Sequence, residues 1–202
     1  KTSGMGAISP LAFMDEDFLK KIKKKIIEPT IAGLKKDKLE YKGFIFFGLM
    51  NDKGEPKVIE YNCRMGDPET EVVIPRIKND FVEILIATSQ GRLHEIKIET
   101  DERAAATVVA VSGGYPGDYE KGKEISGLNE TTLTESIIFH SGTKKDEEKT
   151  VTNGGRIFTI TSFGDNITEA VEQSNYAMEQ LFFEGMYFRS DIGYEFKTDL
   201  AL

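Results

Sequence analysis

The sequence has little of what several protein classes require. Only one of its 202 residues is cysteine. Cys63 therefore cannot close a disulfide within the chain, which agrees with a reducing compartment, and a cytoplasmic location is expected. No apolar run approaches the ~20 residues that cross a bilayer. The lysine-rich beginning leads into no apolar core of an export signal, so no membrane partner is expected. Positive charge is in deficit, with 26 Lys+Arg against 34 Asp+Glu and a net charge of -8. No nucleic-acid partner is expected either, because such binding draws on counterion release at a basic surface. His94 and His140 have no second cluster of His or Cys to join in a zinc site. What is present, 39% hydrophobic and 30% charged residues, is the composition of a globular protein with a sizeable core.

Residues 1–10 read as a Gly- and Ser-containing loop. After Asp15, the four-residue spacing of Phe18, Ile22 and Ile26 predicts an amphipathic helix that Pro29 should end or kink. Lys20, Lys21, Lys23, Lys24 and Lys25 then form its solvated face. The Phe-rich run 43–50, the turn signal Asn51-Asp52-Lys53-Gly54 and the run 56–62 predict a hairpin. Alternation in its second strand sends Val58, Glu60 and Asn62 to one face, and Ile59, Tyr61 and Cys63 to the other, with Cys63 in core packing. Helical spacing follows at 68–78 and 80–90, with Gly91 as a stop. A boundary is expected near the charged stretch 99–103, where the β-branched run Ala104–Ser112 begins. Strands at 136–140 and 156–162 and a helix over 167–183 complete an α+β pattern. Residues 144–149 read as an exposed loop, and Asn153-Gly154 as a hairpin turn.

The stretch Glu60-Tyr61-Asn62-Cys63-Arg64-Met65-Gly66-Asp67-Pro68-Glu69-Thr70 concentrates charge at the end of a strand. Glu60 and Asn62 offer a carboxylate and a carbonyl to one hard divalent cation. Arg64 continues their face with a planar, permanently charged fork suited to a phosphoryl or carboxylate group. Alternating polar residues also line the exposed face of any half-buried sheet. Glu69 and Glu71, near the start of the next helix, can complement its dipole or bind the ammonium of a small substrate. Gly113-Gly114-Tyr115-Pro116-Gly117 follows a strand but leads to no clear helix, so a structural turn is favoured over a phosphate cradle. Arg156 is a candidate anion contact only.

Glu60-x-Asn62-x-Arg64 resembles the metal-binding strand of ATP-grasp ligases. Arg64-Met65-Gly66-Asp67-Pro68-Glu69 resembles the signature hexapeptide of the phosphoribosylamine-glycine ligase (glycinamide ribonucleotide synthetase) family. Ser3 to Pro10, Gly48-Leu49-Met50, the segment Gly113 to Tyr119, Phe139 to Thr143, Val151 to Arg156 and Asp191-Ile192-Gly193 appear in that family's order. Met65, Ser3 and Lys1 depart from the family's usual Phe, Gly and Asn.

The resemblance implies an α+β chain in which residues 1–100 are the C-terminal part of an ATP-grasp domain and 101–202 a small mixed α/β C-terminal domain. It implies an ATP-dependent ligase of purine biosynthesis that joins glycine to 5-phosphoribosylamine through glycyl phosphate. ATP is the co-substrate, and Mg2+ or Mn2+ the metal. Glu60 and Asn62 are then metal ligands, Arg64 the catalytic group on the phosphoryl, and Gly66, Asp67 and Glu69 the substrate contacts. The family's N-terminal half, with the lobe that grips adenine, would be the partner this chain lacks, and the chain alone is expected to be inactive. Two alternatives are a different ATP-grasp carboxylate-amine ligase, against which the full hexapeptide argues, and a noncatalytic binding module on the same scaffold, against which the intact Glu60, Asn62 and Arg64 argue.

Overall fold

The computed structural model describes residues 4–11, 13–128 and 136–196. Lys1 and Ser3, two of the departures from the family pattern, lie outside them. In chain order the elements are β1 (Gly6–Ser9), α1 (Glu16–Ile22), a π-helical segment (Lys23–Ile27), α2 (Glu28–Lys36), β2 (Phe46–Asp52), β3 (Glu55–Asn62), α3 (Glu69–Val73), α4 (Phe81–Gln90), β4 (Ala104–Val111), β5 (Ser136–His140), β6 (Thr143–Asp146), β7 (Lys149–Thr152), β8 (Arg156–Gly164) and α5 (Ile167–Met178). The chain is a mixed α+β protein, as its pattern predicts. No helix among the described residues is long and apolar enough to cross a membrane.

The elements gather into two compact units, and neither is a continuous stretch. One comprises residues 1–10, 67–76 and 101–202, and the other residues 11–66 and 77–100.

The first unit is built on a four-stranded sheet in the order β1-β4-β8-β5, antiparallel throughout. Every residue of β4 is buried, which is what an uninterrupted run of small and β-branched side chains dictates. Ala170, Val171, Ala177 and Met178 of α5 pack with Phe158, Ile160 and Phe183 into one core. The rings of Phe158 and Phe183 meet edge to face with centroids 6.1 Å apart. Asn166 caps α5 by accepting the Glu169 N–H at 3.0 Å, and the helix ends at Met178, short of the expected 183. Phe183 is fully buried, whereas Phe182 and Tyr187 stay exposed.

Three expectations in this unit are corrected. Residues 6–9 form an edge strand paired with β4, with Gly6 opposite Val108 and Ser9 opposite Ala105, where a loop was expected. The strand, four residues with a single large apolar side chain, is too short to show alternation, and its partner β4 is remote in sequence. Residues 144–149 fall largely within a hairpin, β6 paired with β7. Its charged side chains face solvent while its backbone pairs, a combination that hydropathy cannot register. Asn153-Gly154 joins β7 to β8, which are not partners. The residue with left-handed backbone between β6 and β7 is Glu147, at φ 53°.

In the second unit, Asp15 caps α1 by accepting the Phe18 N–H at 2.7 Å. Phe18, Ile22 and Ile26 are buried as their spacing requires. Pro29 does not end the helix. The π-helical turn just before it shifts the bonding register, the Glu28 N–H reaching the Lys23 carbonyl, so that proline enters in the first turn of α2, where its missing donor costs least. Asp80 and Gly91 cap α4.

Candidate functional site

The hairpin that carries the strand motif is set by its turn. Lys53 and Gly54 lie at φ 51° and 84°, the pair of positive values that a two-residue connection between twisted strands needs. The Asn51 Oδ1 accepts the Gly54 N–H at 2.8 Å. Two members of the lysine cluster are recruited here. Lys21 donates to the Gly54 carbonyl at 2.7 Å and pairs with Glu55 at 3.3 Å, and Lys25 also pairs with Glu55. Those two ammonium groups hold the Glu55 carboxyl below its ordinary range. Lys21 and Lys25 thus fasten the hairpin tip to the helix, while the other lysines of the cluster match the solvated face expected.

A bulge then decides which side chains share a face. Gly48 pairs with Glu60 and Leu49 with Val58, so Ile59 is the extra residue. The insertion reverses the alternation. Glu60 and Asn62 lie together on one face, as predicted, but Val58 goes with Tyr61 to the other, contrary to the simple period of two. Tyr61 packs edge to face on Phe47 at 5.2 Å and its hydroxyl lies 3.2 Å from that of Thr30. Cys63 is exposed rather than packed in a core, because it lies past the end of β3 and of the ladder that would give its parity meaning.

Glu60 and Asn62 touch, the Asn62 Nδ2 donating to Glu60 Oε1 at 3.0 Å. The Glu60 side chain lies across Gly48, where an added Cβ would sit 2.7 Å from the Glu60 Cγ. Glycine at 48 is therefore a requirement of the carboxylate's path. Arg64 lies beyond the strand, in a bend, so it does not continue the pleated face. Its Nη1 donates to the Met65 carbonyl at 2.8 Å, and the side chain is exposed. Gly66 is buried.

Glu60 and Asn62 form a pair of hard oxygen donors. Among the described residues no group of three or more His, Cys, Asp or Glu side chains gathers into a metal cage. The pair suits an ion such as magnesium, which keeps waters and substrate phosphates in most of its shell and takes only one or two protein ligands.

Asp67 and Glu69 belong to the other unit. There Asp67 meets Arg156 in a two-pronged ion pair, Nη1 to Oδ1 and Nη2 to Oδ2 both at 2.7 Å. Glu69 opens α3. Glu71 is half-buried, and one of its oxygens, Oε2, has no hydrogen-bond partner. Burial raises its carboxyl above the ordinary range, opposed by its own backbone N–H; Asp67 adds to the rise, Arg156 opposes it, and Glu69 adds to it.

Sequence reasoning missed Arg76. Its guanidinium donates to the Ser9 hydroxyl at 2.7 Å, the Asp101 carbonyl at 2.7 Å and the Arg103 carbonyl at 3.1 Å, tying the end of the 67–76 segment to β1 and to the stretch that leads into β4. No local signal marks such a residue, because all its partners are distant in sequence. His140 is exposed and shares a hydrogen bond with Thr143 at 3.0 Å, a local structural contact.

Residues 1–70 match the ATP-grasp (A) domain of phosphoribosylglycinamide synthetase, and residues 105–195 match its C domain. The phosphoribosylamine-glycine ligase of Caldanaerobacter subterraneus is 45% identical over 191 residues, covering 95% of this chain and 45% of that protein. That of Escherichia coli K12 is 43% identical over 195 residues, covering 96% and 46%. The crystal structure of the Thermotoga maritima phosphoribosylamine-glycine ligase superimposes with a TM-score of 0.82 at 35% identity, over 93% of this chain and 46% of that one. Biotin carboxylase from Campylobacter jejuni shares the fold at a TM-score of 0.59 and 16% identity, over 93% of this chain and 41% of that one. The chain spans about half the length of the curated relatives it matches.

Proposed function

The chain belongs to the phosphoribosylglycinamide synthetase family, spanning parts of its ATP-grasp and C domains, and from that premise we propose that it serves the ATP-dependent joining of glycine to 5-phosphoribosylamine, giving glycinamide ribonucleotide, ADP and phosphate. The observation that carries this reading is the Glu60 carboxylate laid across Gly48 beside the Asn62 carboxamide. It is a prearranged oxygen pair at the end of a hairpin, followed two residues on by an exposed guanidinium, Arg64.

In this reading Glu60 and Asn62 hold Mg2+ or Mn2+. When bound, the ion neutralises charge on the phosphates being transferred. Arg64 binds the transferring phosphoryl group with its fork. A glycine carboxylate oxygen attacks the γ-phosphorus of ATP, the bond to the bridging oxygen of ADP breaks, and glycyl phosphate forms. The amine of 5-phosphoribosylamine then attacks the acyl carbon, loses a proton to solvent and expels phosphate, which keeps the carboxylate oxygen. Gly66 and Glu69 serve glycine or 5-phosphoribosylamine, and Asp67 serves them through the placement of the segment that carries Glu69. The chemistry asks little of side chains beyond position and charge.

The same proposal assigns residues 1–100 to the ATP-grasp domain and 101–202 to a small C-terminal domain, and it includes a cytoplasmic setting. The extents of the two domain matches support the assignment. The fate of the glycine carboxylate oxygen tests the reaction: one such oxygen should appear in the released phosphate, and phosphate without it would contradict the acyl phosphate route.

A further inference from the structure

We infer that Arg156 is a positioning residue for the Asp67–Glu69 segment, acting through Asp67, and that Asp67 is its anchor rather than a ligand of the substrate ammonium. The inference rests on the proposed ligase reading for its kinetic consequences. Its geometric basis is independent of that reading.

Both carboxylate oxygens of Asp67 are taken, each at 2.7 Å from one guanidinium nitrogen. The fork is matched in plane to the carboxylate and neutralises its charge, so Asp67 offers an ammonium ion no unpaired negative charge. The same Nη1 also lies 3.4 Å from the carbonyls of Asp67 and Gly4. Gly4 is held at φ +84°, and a Cβ there would sit 2.9 Å from Nη1. The chain near its beginning is thus shaped around this guanidinium.

The base of Arg156 is fixed on both sides. The Ser112 N–H donates to the Gly155 carbonyl at 2.8 Å and the Gly142 N–H to the Arg156 carbonyl at 2.9 Å. The Ser112 hydroxyl donates to the Gly154 carbonyl at 2.9 Å. Gly155 lies under Tyr115, whose ring would be 2.6 Å from an added Cβ. Five residues along β8, the Thr161 hydroxyl donates to the Glu71 carbonyl at 2.8 Å. One strand therefore grips the segment at two points, with Glu69 between them. The Asp67 side chain is 49% exposed, and ion pairs so open to water add little to stability. What a two-pronged pair supplies there is direction.

The test uses this chain completed to the length of its relatives, with Arg156→Met, Arg156→Lys, Asp67→Asn and the double variant Asp67→Asn/Arg156→Met. Arg156→Met should lower kcat/KM for glycine about 10- to 100-fold, the scale of a misplaced positioning contact, with KM for ATP held within about twofold and melting temperatures shifted by only a few degrees. Arg156→Lys should recover part of the loss, since it keeps the charge without the fork. The double variant should be no worse than Arg156→Met. Multiplying single losses, full activity in Arg156→Lys, or a loss confined to ATP would each overturn the inference. Absence of glycine-dependent ADP formation in the unsubstituted protein would instead defeat the ligase reading. Positioning is then read from amide hydrogen exchange over 67–71, which should accelerate in Arg156→Met. Unchanged exchange would overturn it.

Discussion

The anchoring of α3 to the sheet rests on two buried hydroxyls, and their order predicts an unusual ranking of variants. Thr107 and Thr161 are register partners on β4 and β8, both with no exposed surface, and their Oγ1 atoms are 2.6 Å apart. The single proton on Thr161 Oγ1 goes to the Glu71 carbonyl at 2.8 Å. Thr107 must therefore donate to Thr161, and the chain of donation runs Thr107 to Thr161 to Glu71. Thr161→Val strands two groups, the Thr107 hydroxyl and the Glu71 carbonyl, at roughly 1–3 kcal/mol each, or about 2–6 kcal/mol together. Thr107→Val idles only one lone pair on Thr161 and should cost about 0.5–1.5 kcal/mol. The double variant strands only the Glu71 carbonyl, so it should be more stable than Thr161→Val by the cost of the Thr107 hydroxyl, about 1–3 kcal/mol. The sequence contains no tryptophan, so urea unfolding is followed by far-UV circular dichroism. A double variant destabilised by the sum of the two singles would refute the assigned direction of donation.

Two further outcomes follow from the sites themselves. Burial raises the Glu71 carboxyl above its ordinary value of 4.5, so the folded chain binds that proton more tightly than the unfolded chain; stability is highest with Glu71 protonated and falls as pH rises from the unfolded value through the folded one. Glu71→Gln should therefore gain urea resistance over the parent at about pH 7 and little at about pH 4, where an ordinary carboxyl is largely protonated, and an equal gain at both would contradict this. At the strand proposed to hold the metal, Glu60→Gln and Arg64→Met in the chain completed to its relatives' length should each lower glycine-dependent ADP formation about 10²- to 10³-fold. Wild-type rates in either would remove that residue from the site.

Much of this architecture can be read from local pattern, and the exceptions share a cause. The run 104–111 is buried along its whole length because hydrophobicity without alternation leaves few other choices. The hairpin over 46–62 is written in its turn residues, and the pairing of Glu60 with Asn62 survives because both lie on the same side of the bulge. Val58 lies on the other side, and one extra residue, Ile59, reverses its face; nothing in a period of two announces such an insertion. Strand β1 and the β6–β7 hairpin are stabilised by backbone pairing, to which side-chain composition is nearly blind. Pro29 misleads for a related reason, since a π-helical turn supplies the register that proline needs. The hexapeptide is conspicuous by its concentration of charge. Its grip by Arg156 is not, because 89 residues separate the guanidinium from Asp67, and only folding brings the two together.

The central claim is that a glycine carboxylate is activated by phosphoryl transfer. Supplying glycine labelled with oxygen-18 in its carboxylate, together with ATP and 5-phosphoribosylamine, to this chain completed to the length of its relatives tests it directly. Attack by the carboxylate on the γ-phosphorus followed by displacement at the acyl carbon leaves one glycine oxygen in each phosphate released, and mass analysis of the phosphate should find one label per molecule. Phosphate carrying none, formed in step with ADP, would contradict the account.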